Sequence, residues 1–476
     1  MEQNIKDQLI SLFEAHFKEE VTLIQPLPAS GSYREYARLK SMHHNVMGAY
    51  NHDVKENKAF FEFSAHFLKR EIPVPHIYSI SADQMSYLQE DLGNTTLFDF
   101  LTKVGDTEGF SEKIVEEYKK VLRQLPRIQL VAGKDIDYSV CYPREAFDKQ
   151  SMMWDLNYFK YYFLKLAKIP FEEQALEDDF QLFSDYLLEA ENNAFLYRDF
   201  QSRNIMLKDR QVYFIDYQGG RKGALQYDLA SLLYDAKANI PEGDREDLLE
   251  FYLDELRQYK DVDRQKFKSY FDGYVLIRIM QAMGAYGFRG FFEKKEHFLK
   301  SIPFALKNLE TLLAKHTIEV KLPELFKVLR AIGESSFLKS ISSDNDRLTV
   351  LVSSFSYKKG IPKDHSGNGG GFVFDCRAIH NPGRYVEYKY LTGKSPEVQQ
   401  FLEEKSTIAE YMASVISLVS NSVEVYLDRG FTNLAVSFGC TGGQHRSVYA
   451  AEKMAEYLRN NYPVTVVLQH IEQDKK

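Results

Sequence analysis

The sequence predicts an α+β unit of two lobes, the first rich in strands and the second helical, followed by a small α/β domain. Three observations predict it. Strand-like segments up to Gly93 give way to helical periodicity between Asn94 and His316. A polar loop and hairpin between Leu196 and Asp235 interrupts that helical region and concentrates acids in it. Beyond residue 347, β-branched runs alternate with long helical runs, the pattern of strands joined by crossover helices. The 476 residues suffice for two or three domains. The expected boundaries are 1–93 for the strand-rich lobe, 94–325 for the helical lobe, 326–346 for a linker, at the start of which Leu325, Val328, Leu329 and Ile332 fit one more helix, and 347–476 for the second domain.

The formal net charge of −8 argues against a dedicated nucleic-acid binder, which needs a basic face. Three cysteines, Cys141, Cys376 and Cys440, form a sparse and odd set that suits reduced thiols in a cytosol. The opening MEQNIKDQLISLFEAHF is polar and amphipathic rather than a secretory signal, and no run approaches bilayer length. A cytoplasmic location without a membrane partner is expected.

In chain order, Ile5, Leu9, Leu12, Phe13 and Phe17 recur at helical spacing. Pro28 to Leu39 reads as a strand, a small-residue turn at Ser30-Gly31-Ser32, and a second strand that opens near Arg34. Small residues let backbone amides approach phosphate oxygens, although a plain hairpin uses the same residues. Val46 to Ala49 is a third strand. A helix over Lys55 to Lys69 presents Phe60, Phe61, Phe63, Ala65, Phe67 and Leu68 as a core face and carries Glu56 in its first turn, where the helix dipole favours an acid. Pro73-Val74-Pro75 ends that helix, and Tyr87 to Gly93 forms a strand leaving toward a turn. Met152 to Leu166 is dense in aromatic residues around the single Trp154. Most of that is core, but an aromatic face with nearby acids also suits a sugar, which makes Trp154, Asp155 and Tyr158 candidate ligands. Later helices run over 246–259, 265–283 and 303–316, with Arg278, Gln281 and Arg289 either closing an acceptor site or facing solvent.

Asp199 and Asn204 share the polar loop, and Lys208-Asp209-Arg210 turns a hairpin whose second strand ends just before Asp216. Phosphoryl transfer from ATP needs such a set. One carboxylate orients the attacking hydroxyl and takes its proton; a second carboxylate and an amide oxygen hold Mg²⁺, which prefers oxygen ligands. Asp199 is therefore the candidate base, and Asn204 and Asp216 the candidate metal ligands. An Asp and an Asn five apart also arise by chance in loops, which both residues favour.

The longer string is more specific. Arg198-Asp199-Phe200, Arg203-Asn204-Ile205-Met206, Ile215-Asp216-Tyr217-Gln218 and Tyr227-Asp228-Leu229-Ala230-Ser231-Leu232 resemble the aminoglycoside phosphotransferase-like kinases. Within them, the string resembles the cell-wall sugar kinases that act on N-acetylmuramate and N-acetylglucosamine. The resemblance covers roughly the first two-thirds of the chain and implies a protein-kinase-like fold with ATP between the lobes. It implies Ser30, Gly31, Ser32 and Arg34 at the phosphates, and Gln89, Glu90 and Asp91 near adenine. Arg203 and Gln218 join the acceptor residues, Asp228 becomes a buried brace, and Glu56 takes the place of an ion-pairing glutamate. Tyr197 stands where the family usually has His. Met47-Gly48-Ala49 lacks the third-strand lysine of kinases, for which Arg38 or Lys40 could substitute. An amino sugar is the expected acceptor, with aminoglycosides, choline or hydroxy amino acids as alternatives; a regulatory protein with a decayed kinase site is a further one.

In the last part of the chain, strands at 348–355, 372–377, 434–438 and 464–468 alternate with helices at 396–426 and 447–460. The third strand runs through Gly439 into Cys440-Thr441-Gly442-Gly443-Gln444-His445-Arg446-Ser447 and a helix. Strand, glycine-rich turn and helix N-terminus make an anion site by exposed amides, helix dipole and guanidinium. The spacing from Cys440 to Arg446 also matches cysteine-dependent phosphatases, in which a thiolate attacks phosphorus. This turn, with Phe355 to Pro362, Phe374 to Arg377, Asn381-Pro382 and Leu391-Thr392-Gly393, resembles the C-terminal domain of the RNase adapter protein RapZ. That resemblance implies a sensor of glucosamine 6-phosphate whose pocket uses Lys358, Arg377, Cys440, Thr441, Gly442, Gly443, His445, Arg446 and Ser447. RNA binding is not expected, because the ending His470 to Lys476 has no arginine-rich run. The glycine-rich stretch 366–371 is expected to be a loop beside the pocket.

Overall fold

The computed structural model describes residues 1–27, 34–343, 348–362, 371–428 and 431–473. Ser30, Gly31 and Ser32 of the phosphate turn, and all but the last residue of the 366–371 stretch, lie outside the described residues. The chain divides into two compact units. The first comprises Met1–Phe288 and Ser301–Ser335, and the second Arg289–Lys300 and Ser336–Lys476.

The strand-rich lobe is an antiparallel sheet of β1 (Leu23–Pro26), β2 (Glu35–Lys40), β3 (Asn45–Tyr50), β4 (Ile77–Ile80) and β5 (Ser86–Glu90), ordered β1-β2-β3-β5-β4. The opening helix α1 (Gln3–Phe17) buries Ile5, Leu9 and Phe13 against Ala37, Leu39, Val46 and Leu88 of that sheet. Helix α2 (Val54–Lys69) starts where the Asp53 carboxylate accepts the amides of Lys55 and Glu56. Its Phe60 ring stacks on Tyr217 at 5.1 Å and Phe67 meets Phe195 edge-on at 5.4 Å, so α2 is anchored to the chain that carries the catalytic candidates.

The helical lobe is organised around helix Arg264–Tyr286, whose Tyr274, Val275, Leu276, Ile277 and Met280 are fully buried. Short strands carry the polar segment: β6 (Ala194–Leu196) pairs with β9 (Arg221–Gly223), and β7 (Ile205–Lys208) with β8 (Gln211–Phe214). Residues 326–334, expected within a linker, belong to helix Pro323–Glu334 of the first unit. Leu325, Val328, Leu329 and Ile332 bury one face of it, and the Leu325 amide donates to Asp179 at 2.8 Å. The apolar period that suggested a helix also makes it part of the core.

The second unit has a parallel sheet of β10 (Thr349–Ser356), β11 (Gly371–Asp375), β12 (Asn433–Cys440) and β13 (Thr465–His470), ordered β11-β12-β10-β13. Helices Ile408–Asp428 and Arg446–Asn461 cover its apolar core. The helix expected over 396–426 is two helices, Pro396–Lys405 and Ile408–Asp428. Ser406 breaks it: its hydroxyl donates to Leu402 O at 2.5 Å and accepts the Ile408 amide, competing with the helical ladder. All three cysteines are free and buried. Among the described residues, no helix is long and apolar enough to cross a membrane.

Candidate functional site

Asp199, Asn204 and Asp216 converge because the β7–β8 hairpin folds the chain back on itself. Asn204 Nδ2 donates to the Asp199 carbonyl at 2.9 Å and to Asp216 Oδ2 at 3.1 Å. Arg198 and Asp216 are both held at positive φ, +83° and +70°, a strained backbone for non-glycine residues. The strain is stabilised from below. Asp228, fully buried, accepts the Tyr197 and Arg198 amides at 2.8 and 3.1 Å, and Gln129 Nε2 at 3.3 Å. Tyr197 donates its hydroxyl to Ile215 O at 2.5 Å and so joins the catalytic loop to the strand before Asp216. Burial raises the Asp216 carboxyl pKa, and the nearby Asp199 charge raises it further. Burial likewise pushes Asp228 up to about 7 despite the amide bonds.

The position of the missing lysine is answered from the preceding strand. Arg34, just ahead of β2, is buried and its Nη2 lies 3.4 Å from Glu56 Oε1 on α2. Side chains two apart on a strand share a face, so Arg34 lies on the face of Tyr36, which pairs across with Ala49 on β3. Gln218 completes the link: its amide donates to Asp216 Oδ1 at 2.7 Å and to Glu56 Oε1 at 3.1 Å. Arg38, a proposed substitute, is instead bidentate on Asp91 at 2.5 and 2.9 Å and reaches Asn94. Lys40 is exposed at the end of β2.

Other candidates separate into those at the loop and those elsewhere. Asp155 is at the loop, but as the bidentate partner of Arg198 at 2.7 and 2.8 Å rather than as an open carboxylate. The Arg198 guanidinium also donates to Tyr227 and lies over the Phe147 and Tyr227 rings at 5.0 and 5.3 Å. Gln218, expected at the acceptor, is the bridge described above. Trp154 is half-exposed beneath the Arg144 guanidinium, and Tyr158 packs on Tyr162 and Phe288. Arg203 stacks on Phe98 at 4.7 Å. Glu90 pairs with Lys208 and Asp91 with Arg38 and Asn45, so both acids hold the segment between the lobes; Gln89 is buried in β5. Arg278 is buried and donates to Ser231 at 2.9 Å, while Arg289 pairs with Glu293 in the second unit. The sequence offered no signal for the Asp155–Arg198 pair, which joins residues 43 positions apart.

In the second unit, the glycine-rich turn curls around Cys440. Its Sγ accepts the Gly443 amide at 3.2 Å and lies 3.1 Å from Ser447 Oγ. Burial raises the thiol pKa, but bonds from the Ser447 hydroxyl and from the amides of Ser447, Gln444 and Gly443 outweigh it and lower it overall. Thr441 and Gly442 are exposed at the mouth. Gly443 has φ +66°, and a Cβ there would stand 3.0 Å from the Ser356 amide nitrogen. Arg446, expected to give an anion a bidentate contact, has its Nε buried without a hydrogen-bond partner. Its Nη1 donates to the Arg377 and Ile379 carbonyls at 2.9 and 2.8 Å. His445 Nε2 bonds the Tyr388 carbonyl at 2.9 Å, and burial lowers the ring's pKa, keeping it neutral. Arg377 pairs with Asp375 at 2.6 Å over the Tyr357 ring, and Lys358 is exposed.

A carboxylate beside an Asn–Asp pair, with a guanidinium and glutamate behind, is the kind of set that phosphoryl transfer uses. Residues 48–262 match the phosphotransferase enzyme family, and residues 348–474 match the RapZ C-terminal domain. The chain thus carries a segment similar to the phosphotransferase enzyme family followed by one similar to the RapZ C-terminal domain. A nucleotide-binding protein of Xanthomonas axonopodis pv. citri (strain 306) is 36% identical over 130 residues, 27% of this chain and 44% of that protein. One from Nitrosomonas europaea is 38% identical over 142 residues, 29% of this chain and 46% of that protein. The chain spans less than half the length of these curated relatives. Among solved structures, choline kinase from Cryptosporidium parvum is similar with a TM-score of 0.48 at 11% identity, over 68% of this chain and 99% of that one. Amicoumacin kinase hAmiN in complex with AMP-PNP, Ca²⁺ and Ami has a TM-score of 0.47 at 12% identity, over 68% of this chain and 100% of that one.

Proposed function

We propose that the chain is an ATP- and Mg²⁺-dependent kinase of an amino-sugar hydroxyl, of the N-acetylmuramate or N-acetylglucosamine type, whose second domain binds a sugar phosphate and regulates the first. Residues 1–93 and 94–325 form its two lobes, and residues 347–476 its sugar-phosphate domain. The observation that carries the reading is the convergence of Asp199, Asn204 and Asp216 through the bonds of one asparagine amide. The donor set fits magnesium. Asp216 is a partly buried acid whose charge is disfavoured by desolvation and by the nearby Asp199, and a divalent cation among oxygen ligands relieves that cost. Among the described residues no three His, Cys, Asp or Glu cluster as a metal cage, which leaves Asn204, Asp216 and phosphate oxygens as the ligands. When bound, the ion supplies neutralisation of charge on the transferred phosphoryl group.

Asp199 orients the sugar hydroxyl in line with the terminal phosphate and takes its proton. Arg34, steadied by Glu56, takes the role of the missing lysine at the inner phosphates. That pair also counts against a decayed site, because an abandoned pocket has no reason to keep a buried arginine–glutamate pair bridged to Asp216. The amino-sugar acceptor is supported by the motif string from Arg198 to Leu232. The test is labelled ATP with a panel of amino sugars, choline, aminoglycosides and hydroxy amino acids. An amino sugar is expected to be the best acceptor, and Asp216→Ala to abolish its turnover with an unchanged circular dichroism spectrum. Turnover by that variant at the parent rate refutes the assignment.

A further inference from the structure

Two of the three cysteines meet at the C-terminal ends of neighbouring strands in the second unit. β11 and β12 run parallel, with Phe374 opposite Phe438 and Asp375 opposite Gly439. The Cys376 amide then donates to Gly439 O at 2.8 Å, which carries the ladder one residue further and sets Cys376 beside Cys440. Side chains two apart on a strand share a face, so both thiols point the way of Phe374 and Phe438. Those two rings stack at 5.5 Å, so neighbours on this face touch across the pair of strands. Cys376 and Cys440 belong to one buried core cluster, and charge on Cys440 acts on Cys376. Neighbouring strands lie about 4.7–4.9 Å apart, inside the roughly 4.4–6.8 Å between Cα atoms that a disulfide spans.

The two thiols are chemically unlike. Cys440 Sγ accepts the Gly443 amide and faces the Ser447 hydroxyl, contacts that favour its thiolate. It sits directly beneath Thr441 and Gly442, which are exposed. Cys376 is fully buried, and its Sγ has the Tyr411 hydroxyl at 3.8 Å. Burial pushes the Cys376 thiol up to about 12. A thiolate near the surface with a protonated thiol behind it suits a peroxide-reactive cysteine and its resolving partner.

We propose that Cys376 and Cys440 form a reversible disulfide, made by hydrogen peroxide, that acts on the glycine-rich turn. The Cys440 thiolate attacks one peroxide oxygen: the S–O bond forms, the O–O bond breaks, and hydroxide leaves to take up the proton the thiol gave away. The Cys376 sulfur then attacks the Cys440 sulfenic acid. The S–S bond forms, the S–O bond breaks, and the hydroxyl departs with the Cys376 proton as water. Two thiols and one hydrogen peroxide thus give one disulfide and two waters. The bonded sulfur no longer carries the charge that the Gly443 amide and the Ser447 hydroxyl serve, so oxidation loosens the turn. The reaction is independent of the kinase reading and of the sugar phosphate proposed above.

The test treats the full chain with a small excess of hydrogen peroxide and maps the products by peptide mass. The parent should gain a linked peptide pair carrying Cys376 and Cys440, with a mass lower by two hydrogens, and dithiothreitol should restore both thiols. Cys376→Ser should stop at a sulfenic acid on Cys440, which dimedone labels. Cys440→Ser should leave Cys376 unreacted. Cys141, buried in the first unit with its thiol also pushed up to about 12, is the internal control. Cys440 should react at least about thirtyfold faster than Cys141, the thiolate gained less the nucleophilicity that a lower pKa gives up. In the oxidised protein the amides of Gly443 to Ser447 should exchange with solvent roughly tenfold faster, the scale of one lost hydrogen bond. Peroxide that leaves both thiols intact overturns the proposal, as does oxidation of Cys376 in Cys440→Ser at the parent rate. So does a disulfide that forms between chains or through Cys141. A mapped Cys376–Cys440 disulfide with unchanged exchange overturns the action on the turn. If a serine variant does not fold, the linked peptide in the parent decides alone.

Discussion

Replacing Asp228 by Ala tests the brace beneath the catalytic loop. Its carboxylate accepts two backbone amides, from Tyr197 and Arg198, and one side-chain amide, from Gln129, in a fully buried site. Gln129 Nε2 also donates to Leu225 O at 3.1 Å, so its loss is partly compensated. The two backbone amides have no such alternative. Each orphaned buried donor costs about 1–3 kcal/mol, so the two backbone amides alone give a loss of about 2–6 kcal/mol, with a small further share for Gln129. That is a large part of the roughly 5–15 kcal/mol that holds a domain together. Trp154 is the only tryptophan and lies in the first unit, so urea unfolding followed by its fluorescence reads that unit alone. Asp228→Ala should lower the midpoint in proportion, at constant slope. Its kcat should fall further than the population of folded protein accounts for, because the strained Arg198 backbone loses its support. The pH dependence follows from the carboxyl lying at about 7, above its unfolded value of roughly 3.9. The folded protein binds the extra proton across that window, so the stability contributed by the protonated form is present below about pH 4 and is lost as pH rises through about 7. Asp228→Asn, which keeps one acceptor oxygen, should flatten that dependence and restore part of the midpoint. An Asp228→Ala midpoint equal to the parent's would refute the reasoning.

Removing the Arg34 guanidinium with Arg34→Met should raise the KM for ATP by roughly ten- to a hundredfold, the scale of lost charge-assisted bonds, and Arg34→Lys should recover part of it; an unchanged KM would show that the inner phosphates are held elsewhere. Gly443→Ala adds a Cβ 3.0 Å from the Ser356 nitrogen at a φ of +66°. It should cost the second unit roughly 1–3 kcal/mol and abolish glucosamine 6-phosphate binding by calorimetry, with kinase turnover unchanged when no sugar phosphate is present; undiminished binding would place the ligand away from this turn.

Much of the catalytic set was legible in the chain because it is local. A hairpin with Lys208-Asp209-Arg210 at its tip brings Asn204 and Asp216 together by strand pairing alone, since Ile205 faces Phe214 in the register. The glycine-rich turn after β12 was legible for the same reason: strand, turn and helix are contiguous, and the amides that reach Cys440 lie within seven residues of it. Helix Pro323–Glu334 was visible as a helix but not as part of the first unit, because periodicity shows which face is buried and not against what.

The sequence by itself determined which residues are candidates for the chemistry, through spacing along one loop and hairpin, and it determined the order of the two domains. Only the tertiary structure decided which charges meet. It took Asp155 from the acceptor to Arg198, spent Arg38 on Asp91 and set Arg34 against Glu56. It also turned Arg446 onto the carbonyls of Arg377 and Ile379 and tied the buried Arg221 to those of Gly219 and Tyr142. The physical reason is the reach of each interaction. Turn and strand preferences act over a few residues and are written in their order, whereas the ion pair of a buried arginine depends on which distant segment the core packs against it.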